Sequence, residues 1–369
     1  MAQNALTTII QGRRTMLKTV KDKIPVTVLT GFLGSGKTTL LNYILKENHG
    51  MKIAVIENEF GEIGIDGDLV VGSTEEIFEM TNGCVCCVAE ARDDLLRVIR
   101  QLLARPERLD HIIIETSGLA DPYPVAQTFF LDDPIRNETN LDGVITLVDV
   151  KHIRQHLDDI HLDGIDNQAV DQIVCADRIV LNKVDLAQDA DIADVSRRIR
   201  QLNETADIVL SSYAQIDLTK ILGLAAFDRN RKMAAEIDFD WHAHNHNHHS
   251  DGHSDGHVHE HAWLGDANHT HDTSVTSVGI ELPGNMDPQK ISRWVQELKR
   301  QNNENLFRMK GIFSVKDDDY CYVLHGVHNE IEFRPNHPWA GDERSNKMIF
   351  IGRNLDRASL QARIEACRA

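Results

Sequence analysis

A mainly parallel α/β sheet flanked by helices over residues 24–227, followed by a smaller α+β domain over residues 274–369, is the fold class the sequence predicts. Three observations carry it. Short apolar runs alternate with segments whose apolar residues recur every three or four positions, the pattern of strands joined by crossover helices. Between residues 228 and 273 the chain turns to charge and then to histidine-rich low complexity, a composition that cannot bury a core. Beyond it, alternating strand patterns resume.

In order along the chain, strands are expected at Ile24 to Thr30, Lys52 to Glu57, His111 to Glu115, Gly143 to Val148 and Arg178 to Leu181. Helices are expected at Thr38 to Glu47, Glu90 to Ala104 and Ala190 to Asn203. In the second domain the alternation from Ser274 to Leu282 predicts a strand, and proline near the start of Asp287 to Arg300 predicts a helix. Strand patterns follow at Ile312 to Lys316, Tyr320 to Val327 and Lys347 to Ile351, and a last helix at Asp356 to Arg368. Residues 1–23 carry Arg13, Arg14, Lys18 and Lys21 among threonines before the first acid, Asp22, which superficially resembles a transit peptide, and are expected instead to form a partly helical extension.

Composition narrows the function classes. The chain has 369 residues, 41% hydrophobic and 26% charged, which is ordinary for a globular protein. No run approaches the ~18 consecutive apolar residues that read as a membrane span. Six cysteines scattered over this length do not form a secreted disulfide scaffold, so a reducing cytoplasm is expected. A net charge of −18 argues against nonspecific nucleic-acid binding and suits cations better.

The chemistry begins at Gly31-Phe32-Leu33-Gly34-Ser35-Gly36-Lys37-Thr38, which fits G-x-x-x-x-G-K-[ST] between an expected strand and an expected helix. The glycines let backbone N–H groups curl around phosphates, Lys37 places a point charge at the β- and γ-phosphates, and Thr38 offers a hydroxyl to Mg²⁺. Thr39 continues the phosphate loop into the helix. Asn182-Lys183-Val184-Asp185 follows the fifth strand-like run and matches N-K-x-D. A carboxylate at Asp185 accepts from guanine N1–H and its exocyclic amine, whereas adenine presents a lone pair at N1, so GTP is expected over ATP. Between these motifs, the strand ending in Glu115 leads into Thr116-Ser117-Gly118. There Glu115 can reach Mg²⁺ through water and the Gly118 amide can sense the γ-phosphate.

Further motifs lie in the same unit: Glu57-Asn58-Glu59-Phe60-Gly61-Glu62, and Gly83-Cys84-Val85-Cys86-Cys87, with three cysteines in four residues. With the phosphate loop, Glu115 to Gly118 and Asn182 to Asp185, this ordered set resembles the CobW-type P-loop GTPases, close to their bacterial YjiA-like branch. Lys347-Met348-Ile349-Phe350-Ile351-Gly352 resembles the same family's C-terminal domain. The likeness covers roughly residues 24–227 and 274–367.

The resemblance implies a P-loop NTPase fold of the SIMIBI type, a CobW-C-like second domain, and GTP-dependent delivery of zinc to a client metalloprotein. Cobalt or nickel is open in zinc's place, as is a metal- or redox-sensing GTPase that transfers nothing. An oligomeric state set by nucleotide or metal is also open. Thiolates at Cys84, Cys86 and Cys87 would be soft ligands about 2.3 Å from Zn²⁺. Extended, Cys86 and Cys87 point to opposite sides, so one ion takes all three only around a bend, which Asn82-Gly83 can help provide. Glu57 or Glu62, in the expected first switch, could complete the set and couple it to the nucleotide. Glu62, Asp66 or Asp121 could orient the attacking water.

The histidine tract is a second, softer metal signal. His242, His244, His246, His248, His249, His253, His257, His259 and His261, with His269 and His271 beyond, offer interchangeable imidazoles without one fixed geometry. That suits a capture arm. His325, His328 and His337 are expected to be structural, the second domain's sheet is expected to present an exposed face to the client, and Cys175, Cys321 and Cys367 are given no role.

Overall fold

The computed structural model describes residues 23–47, 50–58, 77–80, 89–158, 167–224, 275–300, 305–328, 330–339 and 344–369. The first unit is a seven-stranded sheet in the order β3-β2-β4-β1-β5-β6-β7, parallel throughout. Its strands are β1 (Ile24–Gly31), β2 (Ile53–Asn58), β3 (Ile77–Met80), β4 (His111–Thr116), β5 (Thr139–Asp149), β6 (Arg178–Asn182) and β7 (Asp207–Leu210). The central strands are buried along nearly their whole length, as a parallel sheet covered on both faces requires.

Alternate side chains sort onto the two faces. On one, Leu40, Leu41 and Ile44 of α1 (Lys37–Lys46) pack on Leu29, Val55, Ile113 and Val180. On the other, α2 (Ala89–Leu103) and α3 (Tyr123–Leu131) cover Val26, Val28, Ile56, Ile112 and Ile114 through Leu95, Ile99, Val125 and Phe129. Two shorter helices, α4 (Asp133–Glu138) and α5 (Ile153–Asp158), are followed by α6 (Gln168–Cys175) and α7 (Asp189–Leu202), the last two closing on β6 through Ile173, Val195 and Ile199.

The second unit is a five-stranded antiparallel sheet, β11-β10-β9-β12-β8, formed by β8 (Val275–Pro283), β9 (Leu306–Ser314), β10 (Tyr320–Val327), β11 (Glu330–Pro338) and β12 (Ser345–Arg353). Ile291, Trp294, Val295 and Leu298 of α8 (Pro288–Arg300) and Ile364 of α9 (Arg357–Glu365) cover one face. Part of the other face meets the first unit, where Val275, Phe307, Ile349 and Ile351 pack against Val170 and Val174 of α6. The central strand β9 is buried at eight of its nine positions, whereas β8 at one edge keeps Thr276, Glu281 and Pro283 exposed.

A buried group of charges pins this seam. Arg308 on β9 donates to the Asp177 carboxylate and, through Nη1, to the Cys175 carbonyl at 2.6 Å. Lys310 Nζ lies 3.1 Å from the same carboxylate, and Asp177 Oδ2 accepts from the Val144 amide at 3.0 Å. Burial pushes Asp177 up, but Arg308, Lys310 and the Val144 amide outweigh it and bring its pKa down to about 2. Around it, Gln127 donates to Glu330 at 3.3 Å, Ser277 to Glu204 at 3.1 Å, and the Tyr123 and His328 rings stack at 4.2 Å. His325 is buried beside these charges, and burial, with Lys310 and Arg334 nearby, holds its pKa well below the usual histidine value. Among the described residues no helix is long and apolar enough to cross a membrane.

Candidate functional site

The carboxyl edge of the first sheet gathers most of the residues the sequence singles out. β1 stands between β4 and β5, and its continuation, Gly31 to Gly36, curls into the start of α1, so the loop sits over the crevice where parallel α/β sheets take ligands. Gly31, Gly34 and Gly36 all have positive φ. At Gly36 the restriction is double: φ is 109°, and a Cβ there would meet Asn182 Nδ2 at 2.5 Å. Lys37 is buried and its Nζ donates to the carbonyls of Gly31 at 2.8 Å and Phe32 at 3.4 Å, folding the ammonium back over the loop. Ser35 Oγ is buried and finds no hydrogen-bond partner among the described residues. Thr38 is half-buried and Thr39 exposed on the first turn of α1.

Asn182, at the end of β6, ties the second motif to the first. Its Nδ2 donates to the Ser35 carbonyl at 2.9 Å, and its Oδ1 accepts from the Ala214 amide at 3.0 Å. Lys183 adopts the left-handed region (φ 62°) and its Nζ bonds Asp149 Oδ2 at 2.7 Å. Burial raises the Asp149 pKa, yet the hydrogen bonds from Lys183 and His152 prevail and lower it. Asp185 follows in a 3₁₀ turn and is exposed. The neighbouring turn Ser212–Gln215 places both Tyr213 and Ala214 at φ near 55°, which is costly without glycine, and leaves the Tyr213 ring exposed.

Glu115 lies in β4 in register with Leu29 on β1 and Glu57 on β2, so the two buried glutamates are cross-strand neighbours two residues below the phosphate loop. Thr116 Oγ1 donates to Thr30 Oγ1 at 2.8 Å and locks the ends of β4 and β1 together. Gly118 follows in a turn closed by the Ala120 amide on the Ser117 carbonyl at 3.0 Å. Its backbone presses on the phosphate loop: a Cβ at Gly118 would stand 2.8 Å from the Leu33 nitrogen. Asp121 Oδ1, from one of the three acids expected to orient water, accepts from the Tyr123 amide at 2.9 Å at the start of α3.

Cys84, Cys86, Cys87, Glu62, Asp66 and the histidines from His242 to His271 lie outside the described residues. The cysteines follow Met80, the last residue of β3, and Met80 is in register with Asn58, one residue past Glu57. Three residues of this edge were not singled out by the sequence: Asp149, Ala214 and Gln172. Asp149 carries the same signal as Glu115, an acid closing an apolar strand, while Ala214 and Gln172 act through backbone and packing and have no motif.

Residues 25–210 match the CobW/HypB/UreG nucleotide-binding domain, and residues 275–368 match the cobalamin synthesis protein CobW C-terminal domain. The chain belongs to the CobW family. Among curated CobW-family relatives, the zinc-regulated GTPase metalloprotein activator 1 of Schizosaccharomyces pombe is 34% identical over 360 residues, covering 92% of this chain and 84% of that one. The zinc chaperone YjiA of Escherichia coli is 33% identical over 347 residues, covering 94% and 99%. The crystal structure of zinc(II)-bound YjiA GTPase superposes with a TM-score of 0.66 at 27% identity, over 94% of this chain and 100% of that one.

Proposed function

We propose that this CobW-family chain is a GTPase that binds a divalent metal, zinc in the first instance, and hands it to a client metalloprotein as GTP is hydrolysed, in the cytoplasm. The observation that supports it most is the bridge made by Asn182, which joins the loop that reads the base to the loop that holds the phosphates, at 2.9 and 3.0 Å. Base identity and phosphate position thereby become one rigid unit, as guanine-selective hydrolysis requires. The names of the relatives, a zinc chaperone and a zinc-regulated metalloprotein activator, support the metal-handling half.

In this reading the amides from Gly31 to Lys37 receive the phosphates, with Gly34, Ser35 and Gly36 at the turn and Thr39 beyond it. Lys37 leaves the carbonyls of Gly31 and Phe32 for the β- and γ-oxygens. Asp185 accepts from guanine, and the Lys183 stem, held by Asp149, lies along the base. Thr38 and Glu115 form an all-oxygen set that fits Mg²⁺, with Thr38 opening α1 and β4 locked to β1 by Thr116 and Thr30. Mg²⁺ there would neutralise charge on the transferring phosphate. Gly118 reads the γ-phosphate. Zinc is the cargo, with Cys84, Cys86 and Cys87 and Glu57 or Glu62 as its proposed holders. The tract from His242 to His261 gathers metal and is expected to be dispensable for turnover, so it can be tested separately.

The test uses the full chain loaded with zinc and mixed with a chromophoric chelator under GTP, GDP or a non-hydrolysable GTP analogue. Release faster with GTP than with either control, and lost in Cys86→Ala, is the expected result. Release indifferent to nucleotide sinks the transfer reading. Repeating the series with cobalt(II) and nickel(II) decides the metal. Deleting 242–271 is expected to lower the bound metal count while leaving GTP turnover within about twofold; loss of turnover contradicts the assignment of the tract.

A further inference from the structure

Gln172 occupies a place that neither the motifs nor the family comparison assigns. It is fully buried on α6, and its Nε2 donates to two carbonyls of the turn after β4: Gly118 at 3.2 Å and Ala120 at 3.0 Å. Its own carbonyl accepts from Thr146 Oγ1 at 2.7 Å, which fixes the helix to β5. The turn is therefore clamped on two sides, by Leu33 of the phosphate loop against Gly118 and by the Gln172 amide against the carbonyls. A peptide carbonyl held from one side aims the next N–H to the other, so the Gln172 bonds fix the Leu119 and Asp121 amides directly and, through them, the backbone that carries Gly118.

The opposite side of the same helix belongs to the seam. Val170 and Val174 pack on Phe307, Ile349 and Ile351, and the Cys175 carbonyl accepts from Arg308. An eight-residue helix, anchored at one face to the turn and at the other to the second sheet, has no slack between the two. We propose that Gln172 is a positioning residue for GTP hydrolysis: it orients the turn that reads the γ-phosphate, and through α6 it passes the turn's position to β9 and β12 of the second domain. This rests on the GTPase reading above. Replacing Gly118's contact with Leu33 by a contact with phosphate moves the two carbonyls, Gln172 follows them, and Val170 and Val174 shift against the second sheet.

The experiment compares the full chain with Gln172→Met, which keeps length and loses the donor, and with Val174→Ala, which loosens the seam and leaves the turn intact. Steady-state kcat and KM for GTP, GDP affinity, and hydrogen–deuterium exchange of residues 306–314 and 345–353 under GDP and under a non-hydrolysable GTP analogue are measured. In Gln172→Met, kcat is expected to fall about ten- to a hundredfold with GDP affinity within about twofold of the parent, since GDP has no γ-phosphate to sense. The GDP-against-analogue difference in exchange is expected to vanish in both variants, while Val174→Ala retains its kcat. Equal losses of GTP and GDP affinity in Gln172→Met, or an unchanged exchange difference, overturn the proposal; should that variant not fold, the exchange difference in Val174→Ala decides. A parent chain that neither binds nor hydrolyses GTP refutes the function itself, a result distinct from any variant's behaviour.

Discussion

The carboxyl edge of the first sheet and the seam between the two sheets both hold buried charge, but they hold it in different ways. At the seam, charged side chains bond one another across the units: Arg308 and Lys310 from one, Asp177 from the other. At the edge, beside one side-chain pair between Lys183 and Asp149, the phosphate loop is held through backbone: Lys37 bonds the carbonyls of Gly31 and Phe32, and Asn182 the Ser35 carbonyl and the Ala214 amide. A phosphate can compete for an ammonium held by carbonyls, whereas nothing in solution replaces Arg308 inside a closed interface. The same polar chemistry thus yields a fixed joint in one place and an exchangeable clasp in the other.

The sharpest way to break that comparison is Arg308→Ala. It leaves a buried carboxylate short of its main partner and should cost about 3–5 kcal/mol in chemical denaturation, and a cost near zero would mean that the apolar contacts alone hold the seam. Next is Lys37→Ala, which should lower single-turnover phosphate release about 10²–10³-fold while shifting the unfolding midpoint little; a large stability loss with activity retained would reverse the roles assigned to the two regions. The smallest effect is on pH. Asp177 titrates at about 2 when folded against an ordinary 3.8, so its contribution is complete above about pH 4 and disappears as pH falls toward 2. That lowering amounts to about 2 kcal/mol, read as unfolding free energy across that window. His111, held low by burial in β4, and His325 add a loss that begins at higher pH, as each binds a proton more readily in the unfolded chain. Asp177→Asn should flatten the acid limb and leave the histidine limb.

The edge was more legible in the sequence than the seam. Glycine spacing, a lysine before threonine and an N-K-x-D tetrapeptide are local statements, and each falls where a strand end had been expected. The first sheet's two edge strands escaped for a physical reason: β3 has four residues, and β7 is exposed or half-buried along its length, so neither shows the apolar run of a covered strand. Helix α6 escaped because eight residues ending Ile173-Val174-Cys175 read as readily as strand, and β11 because its prolines suggest a loop. The seam has no local signature at all, since Asp177 and Arg308 are 131 positions apart and find each other only after both sheets have formed. The cysteine cluster was conspicuous as chemistry but lies outside the described residues, so its ligand set stands as a proposal.

The three solitary cysteines close off one experimental ambiguity. Burial pushes Cys175 up to about 12 and Cys321 up to about 11, and raises Cys367 as well. At neutral pH none of them offers an appreciable thiolate to an alkylating reagent while the chain stays folded. Thiol labelling of the native protein consequently carries little background from these three positions, so any labelling that added zinc suppresses becomes an optical readout of metal occupancy, with no radioisotope and no client needed.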